Sequence, residues 1–327
     1  MMNKDEATRL QRVCEGFTNP VEFVLHQTQD SEFGHRLESF VGEACSLSQG
    51  KIRAVGGGPD PALPAYPCFR MRKGECSNIL YAAVPSGHQF TPFIDALESV
   101  GRKRSTAQEN KPSTDGLQAE LQVLISEHCP RCPLSVAAAV LLSSRHSSIS
   151  TFIIDAGQFS ELTQKYGIKS VPATILDRRL VLIGNVSTDK LMDLLKSRGT
   201  LKFEMEVVQS LIDRARISEA AESLVREAGR DVILALLQSP DFAKRLSALV
   251  IVEKALDDQP DTVRALVPAL VKMLSHTDSR IRGDIADLLG KIGNPQAVPQ
   301  LELLIADPDP DVAEAALEAI AELRKFQ

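Results

Sequence analysis

The spacing of apolar positions along this chain divides it into three stretches. In the first, Leu10, Val13 and Cys14 recur at helical intervals and predict a short leading helix over 4–15. Val21–Leu25 reads as a strand. Phe33, Leu37, Phe40, Val41 and Ala44 then line one face of a helix over 31–45. Lys51–Val55 predicts a second strand, ending at the glycines 56–58. The following GGGPDPALPAYP holds too much Gly and Pro for regular structure. A hairpin comes next: Cys68–Arg72, a turn at Lys73-Gly74, then Cys76–Val84, with Cys76 expected to face Met71. Phe90, Phe93, Ile94, Leu97 and Val100 mark a closing helix. Residues 101–116 are polar, contain Pro and Gly, and read as a linker whose cluster Arg102-Lys103-Arg104 is solvated.

The pattern then restarts. Strand 121–125 leads into helix 133–145, and strand 151–155 into helix 158–166. Strands Ala173–Leu176 and Leu180–Ile183 flank the turn Asp177-Arg178-Arg179. Leu191, Leu194 and Leu195 stripe a last helix. The order βαβαββα predicts a mixed sheet with helices on both faces.

From about residue 201 the strand signal ends and amphipathic helices follow to residue 327. The stretches 266–295 and 297–324 share one plan: a helix near Val-Pro, an Asp-rich turn, and a second helix rich in Ala and Leu. Asp278 and Asp309 occupy the same place in the two copies, and 232–256 is a less regular third. Repeated helix pairs stack into a solenoid because no single pair buries its apolar face alone. Residues 201–229 would be its leading cap. The expected domains are therefore 1–105, 117–199 and 201–327.

Composition changes this picture little. The 327 residues carry a net charge of −6, which gives no reason to expect nucleic acid or an anionic membrane. No apolar run reaches the ~18–20 residues of a membrane span, and the charged start lacks a signal-peptide core. The expected compartment is the cytoplasm, where a CxxC pair is catalytic or metal-binding more often than structural.

That pair is Cys129-Pro130-Arg131-Cys132, between the strand at 121–125 and an Ala-rich helix. Cys129 sits at the mouth of a helix N-terminus, where free N–H groups and the helix dipole favour a thiolate. It reads as the nucleophile, and Cys132, one turn in, as the buried resolving thiol. His128 and Arg131 add positive charge beside it. A zinc site using Cys129, Cys132 and His128 would lack the second pair that structural zinc prefers. No metal and no bound cofactor are expected, only a redox-active Cys129–Cys132 disulfide. Cys14 and Cys45 lie on apolar helix faces and read as core residues.

CxxC at a strand–helix junction, followed by Val171-Pro172 before a later strand, resembles the thioredoxin superfamily. There the proline is usually cis and packs beside the disulfide, its neighbouring backbone pairing with the substrate chain. The resemblance assigns that edge to Pro172 and Val171. CPRCP with an Ala/Val helix is similar to tandem proteins with a CPxCP site: the protein disulfide oxidoreductases and the N-terminal domain of the alkyl hydroperoxide reductase flavoprotein. In the first unit, Val84–Thr91 (VPSGHQFT) resembles a segment of that flavoprotein, and Tyr66-Pro67 falls at its cis-proline. This unit has His26-Gln27-Thr28-Gln29-Asp30 where a CxxC would stand. The helical part resembles HEAT repeats. The resemblance thus implies a tandem α/β thioredoxin-like fold followed by an all-α HEAT-type solenoid.

One departure concerns the carboxylate that many relatives carry six or seven residues before the first cysteine. Here Val123 and Gln122 stand in those places, leaving Glu127, His128 or solvent to handle protons. Pro130 completes the site set. The implied function is a thiol-disulfide oxidoreductase, or dithiol electron carrier, of the thioredoxin/glutaredoxin type. It would draw electrons from a flavin-dependent disulfide reductase and pass them to a peroxidase or other disulfide-bearing protein. No GxGxxG follows a strand, so electrons must come from another protein. The repeats would dock a protein partner. The competing reading is a redox-regulated interaction protein with little turnover.

Overall fold

The computed structural model describes residues 2–26, 31–74, 76–102 and 117–326. Most of the expected linker, and residues 27–30 of the first unit's strand–helix junction, lie outside them. Two compact units result, residues 1–198 and 199–327.

The first unit begins with α1 (Lys4–Glu15), β1 (Val21–His26), α2 (Glu32–Leu47) and β2 (Ile52–Gly57). The hairpin β3 (Cys68–Lys73) and β4 (Cys76–Ala82) follows, then α3 (Phe90–Arg102). Its second half runs β5 (Ala119–Ile125), α4 (Cys132–Arg145), β6 (Ile149–Asp155), α5 (Ser160–Lys165), β7 (Ala173–Leu176), β8 (Leu180–Ile183) and α6 (Thr188–Lys196). The hairpin register differs from expectation. Cys76 pairs with Lys73, not Met71, because the register shifts between Met71 and Lys73.

All eight strands form one sheet in the order β2-β1-β3-β4-β6-β5-β7-β8. The junction is a parallel pairing of β4 with β6, in which Ile79 faces Thr151 and Tyr81 faces Ile153. Local periodicity carries no signal for this join, because it fixes which face of a strand is apolar and not which strand lies beside it. The proline-rich stretch before β3 is irregular, as expected, but it contributes to the core. Its Leu63 and Ala65 pack on one sheet face with Leu80, Leu124 and Phe152, spanning both halves. Under α3, Phe93 meets the stacked rings of Phe23 and Phe69 edge-on, at centroid distances of 6.3 and 6.4 Å.

The second unit contains α7 (Leu201–Asp213), α8 (Ile217–Glu222), α9 (Glu227–Leu237), α10 (Phe242–Asp258), α11 (Pro260–Arg264), α12 (Val267–Met273), α13 (Ser279–Ile292), α14 (Val298–Leu304) and α15 (Pro310–Leu323). The Asp-rich turns are helix caps. Asp241, Asp278 and Asp309 each accept a backbone N–H at the start of α10, α13 and α15. Four residues into two of these helices stands an arginine that ties one repeat to the next. Arg245 donates to the Ser239 carbonyl and to Asp284. Arg282 donates to the His276 carbonyl and, through two nitrogens, to Asp307. The α15 position is Ala313, which ends the series. Gly290 lets α13 approach α15, since an added Cβ would lie 2.8 Å from the Ala319 Cα.

The Asp278 cap carries a pH dependence. The Arg280 side chain, together with the helix N–H, holds the Asp278 carboxyl down at about 2. Its stabilisation is complete above the ordinary value of 3.8 and is lost as pH falls through about 2. Asp307 is lowered in the same sense, chiefly by Arg282. The helical unit is therefore expected to lose thermal stability steadily between pH 4 and 2, as followed by circular dichroism. In Asp278→Asn that slope should flatten.

Candidate active site

β5 is an interior strand, buried along all but Glu120, and delivers the chain to its C-terminal end at Ile125, where Ser126–Cys129 turn it back. The Cys129 N–H closes the turn on the Ser126 carbonyl at 3.1 Å. Helix α4 starts at Cys132 without a side-chain cap, and Pro133 occupies a first-turn position that needs no N–H. Cys129 and Cys132 are joined as a disulfide, with Cα atoms 5.5 Å apart. Cys132 is fully buried and Cys129 partly exposed. The Cys132 backbone N–H, the first of the helix, donates to the Cys129 Sγ at 3.1 Å. A thiolate formed at Cys129 would meet an N–H already in place and the positive end of a fourteen-residue helix.

The opposite wall is the Val171-Pro172 peptide, which is cis, with Pro172 buried. The Val171 carbonyl oxygen lies 3.9 Å from the Cys129 Sγ. Antiparallel pairing of β7 with β5, Ala173 against Leu124, sets Pro172 beside the disulfide. Pro130, Arg131 and His128 are exposed on the rim.

Glu127 is differently placed from the sequence-based expectation of a proton handler. Its carboxylate accepts from Ser86 Oγ at 2.8 Å and from Arg36 at 3.2 Å. These bonds, Ser86 first, hold it below the usual carboxylate range, so it is ionised and a weak proton acceptor. Gln122 is buried and donates to Glu120 at 2.6 Å, and Val123 is buried in the core.

Sequence reading missed what the first half supplies to this loop. Beyond Ser86 and Arg36, Gln89 Nε2 donates to the Ser126 carbonyl at 3.2 Å and the Cys129 carbonyl at 3.3 Å. The VPSGHQFT segment was the available signal, but nothing in its pattern says that it touches the other half.

The remaining described thiols, Cys14, Cys45 and Cys68, are biased toward the protonated form by burial. Burial pushes Cys68 up to about 12 and Cys14 up to about 11, and Cys45 is also raised. Where the first half lacks a CxxC, His26 closes β1 and its Nδ1 lies 2.8 Å from the Gly58 carbonyl oxygen. The Tyr66-Pro67 peptide is cis, at the place the resemblance gave it. Among the described residues, no group of three or more His, Cys, Asp or Glu is arranged to hold a metal. No helix among them is long and apolar enough to cross a membrane.

Comparison with known proteins agrees with this architecture. Residues 119–196 match a family described as thioredoxin domain, and 230–321 match HEAT repeats. The chain is 29% identical over 181 residues to the AhpF component of alkyl hydroperoxide reductase from Staphylococcus epidermidis, covering 54% of this chain and 34% of that protein. AhpF of Pseudomonas aeruginosa is 25% identical over 195 residues, covering 59% and 37%. The chain thus spans about a third of the length of these curated relatives. The AhpF structure from Enterococcus faecalis superposes with a TM-score of 0.51 at 23% identity, covering 59% of this chain and 99% of that one. Residues 119–196 are thioredoxin-like, about half of the chain is similar to AhpF, and a helix-rich HEAT region follows.

Proposed function

We propose that the protein is a thiol-disulfide oxidoreductase working through Cys129 and Cys132. The observation that carries this reading is the Cys132 N–H set on the Cys129 Sγ at a helix start, with one sulfur reachable and the other buried. In the dithiol form, the Cys129 thiolate attacks a client disulfide, forming a mixed disulfide and releasing one client thiolate. Cys132, deprotonated, then attacks Cys129 Sγ. The second client thiol leaves, and the intramolecular disulfide forms with two electrons passed to the client. Helix N–H donation would favour the thiolate form of Cys129 once the pair is reduced. Pro172 and the Val171 carbonyl would form the edge that receives the client backbone, with His128, Pro130 and Arg131 as its rim and Glu127 anchoring the loop.

In this scheme a flavin-dependent disulfide reductase restores the dithiol, a peroxidase or other disulfide-bearing protein is the client, and the cytoplasm is the compartment. We further propose the modules 1–105, 117–199 and 201–327, the last docking a protein partner. The test is reduction of insulin by the protein with dithiothreitol as electron source. Turbidity should develop well ahead of dithiothreitol alone. A rate equal to dithiothreitol alone, with redox-dependent capture of a partner, would favour a regulated interaction protein instead.

A further inference from the structure

Gln89 is 1% exposed and belongs to a 3-10 turn, Gly87–Gln89, of the half without redox cysteines. Its amide nitrogen bridges two carbonyls of the other half, Ser126 and Cys129. These are the two ends of the turn that the Cys129 N–H closes. The same turn holds Cys129 Sγ within reach of the Cys132 N–H. Its own Oε1 is buried and has no partner among the described residues, so the donor side of the amide carries its bonding here.

We propose that Gln89 is a positioning residue for the redox pair, by which the half without redox cysteines sets the thiolate character of Cys129. This rests on the oxidoreductase reading. Pinning both ends of the turn keeps the sulfur on the helix N–H in whichever redox state the pair occupies. Without the pin the turn is free to open, and the thiolate keeps that hydrogen bond only part of the time. Stabilisation of the thiolate favours the reduced form, so its loss makes the disulfide harder to reduce.

Two substitutions separate this role from packing. Gln89→Met keeps the length and volume of the side chain but removes the donor. Gln89→Asn keeps the amide but withdraws it by one methylene, beyond reach of both carbonyls. The pH profile of Cys129 alkylation in the reduced protein, and the potential from a redox titration, are read on both. Glu127, His128 and Arg131 on the loop, and Arg36 and Ser86 facing it, are unchanged in both variants. Both are expected to move the alkylation profile to higher pH, with rates roughly tenfold lower on its acid limb, and to shift the potential in the reducing direction. Unchanged profile and potential in a folded Gln89→Met protein would overturn the proposal. So would a shift in one variant without the other, or lowered thermal stability with no change at the cysteines. These readouts do not depend on client turnover. A chain that fails to reduce insulin yet shows both shifts would sink client reduction as the function and leave this proposal standing, since it needs only that Cys129 and Cys132 cycle between disulfide and dithiol.

Discussion

Replacing Cys132 with serine is expected to leave Cys129 joined to its client as a mixed disulfide that does not resolve. Cys132 is buried one helical turn behind Cys129, and in the oxidised protein the two sulfurs are already bonded. The proposed step that frees the client is attack by the Cys132 sulfur, and a serine hydroxyl at that place is not nucleophilic enough to supply it. Cys129→Ser should behave differently, forming no adduct and losing turnover by on the order of a thousandfold or more, since the attacking sulfur itself is gone. Non-reducing gels and mass spectrometry of extracts passed over immobilised Cys132→Ser read the adducts directly. Adducts that form on Cys129→Ser and not on Cys132→Ser would mean that the roles are reversed.

The second large effect is expected far from the cysteines. Arg245 is 2% exposed, its charge is matched by Asp284, and its Nη1 satisfies the carbonyls of Ser239 and Pro240. Arg245→Ala removes all of this at once. It leaves two carbonyls and a carboxylate to find other partners and a void the size of the guanidinium stem. Breaking such a pair from one side costs about 3–5 kcal/mol. Arg245→Met, which fills the void without restoring the charge, should recover part of the loss. Urea unfolding followed by circular dichroism measures both. A cost below about 1 kcal/mol for the alanine variant would show that Arg245 does not tie the repeats together.

The elements themselves were largely legible. Strands Ala173–Leu176 and Leu180–Ile183 have the expected bounds, because β-branched and apolar residues stop at the polar turn Asp177-Arg178-Arg179. The cysteine pair was legible for a similar reason: its chemistry is local, set by a strand end and a helix start within a dozen residues. Other features depend on residues distant in sequence. The β4–β6 join pairs Leu80 with Phe152, and the redox loop is braced from Arg36, Ser86 and Gln89. Nor does a sequence show that Arg245 is buried. Its neighbours Lys244 and Leu246 are exposed, against the usual ranking of these residue types, because the arginine points at the preceding turn.

The shared sheet has a bearing on solubility. Within β6 the run Phe152-Ile153-Ile154 is apolar and uncharged, and β4 pairs along one flank of it. Were the two halves separated, each would present an unpaired strand edge of this kind, the sort that templates aggregation between copies. The half without redox cysteines therefore covers that edge as well as bracing the cysteine loop.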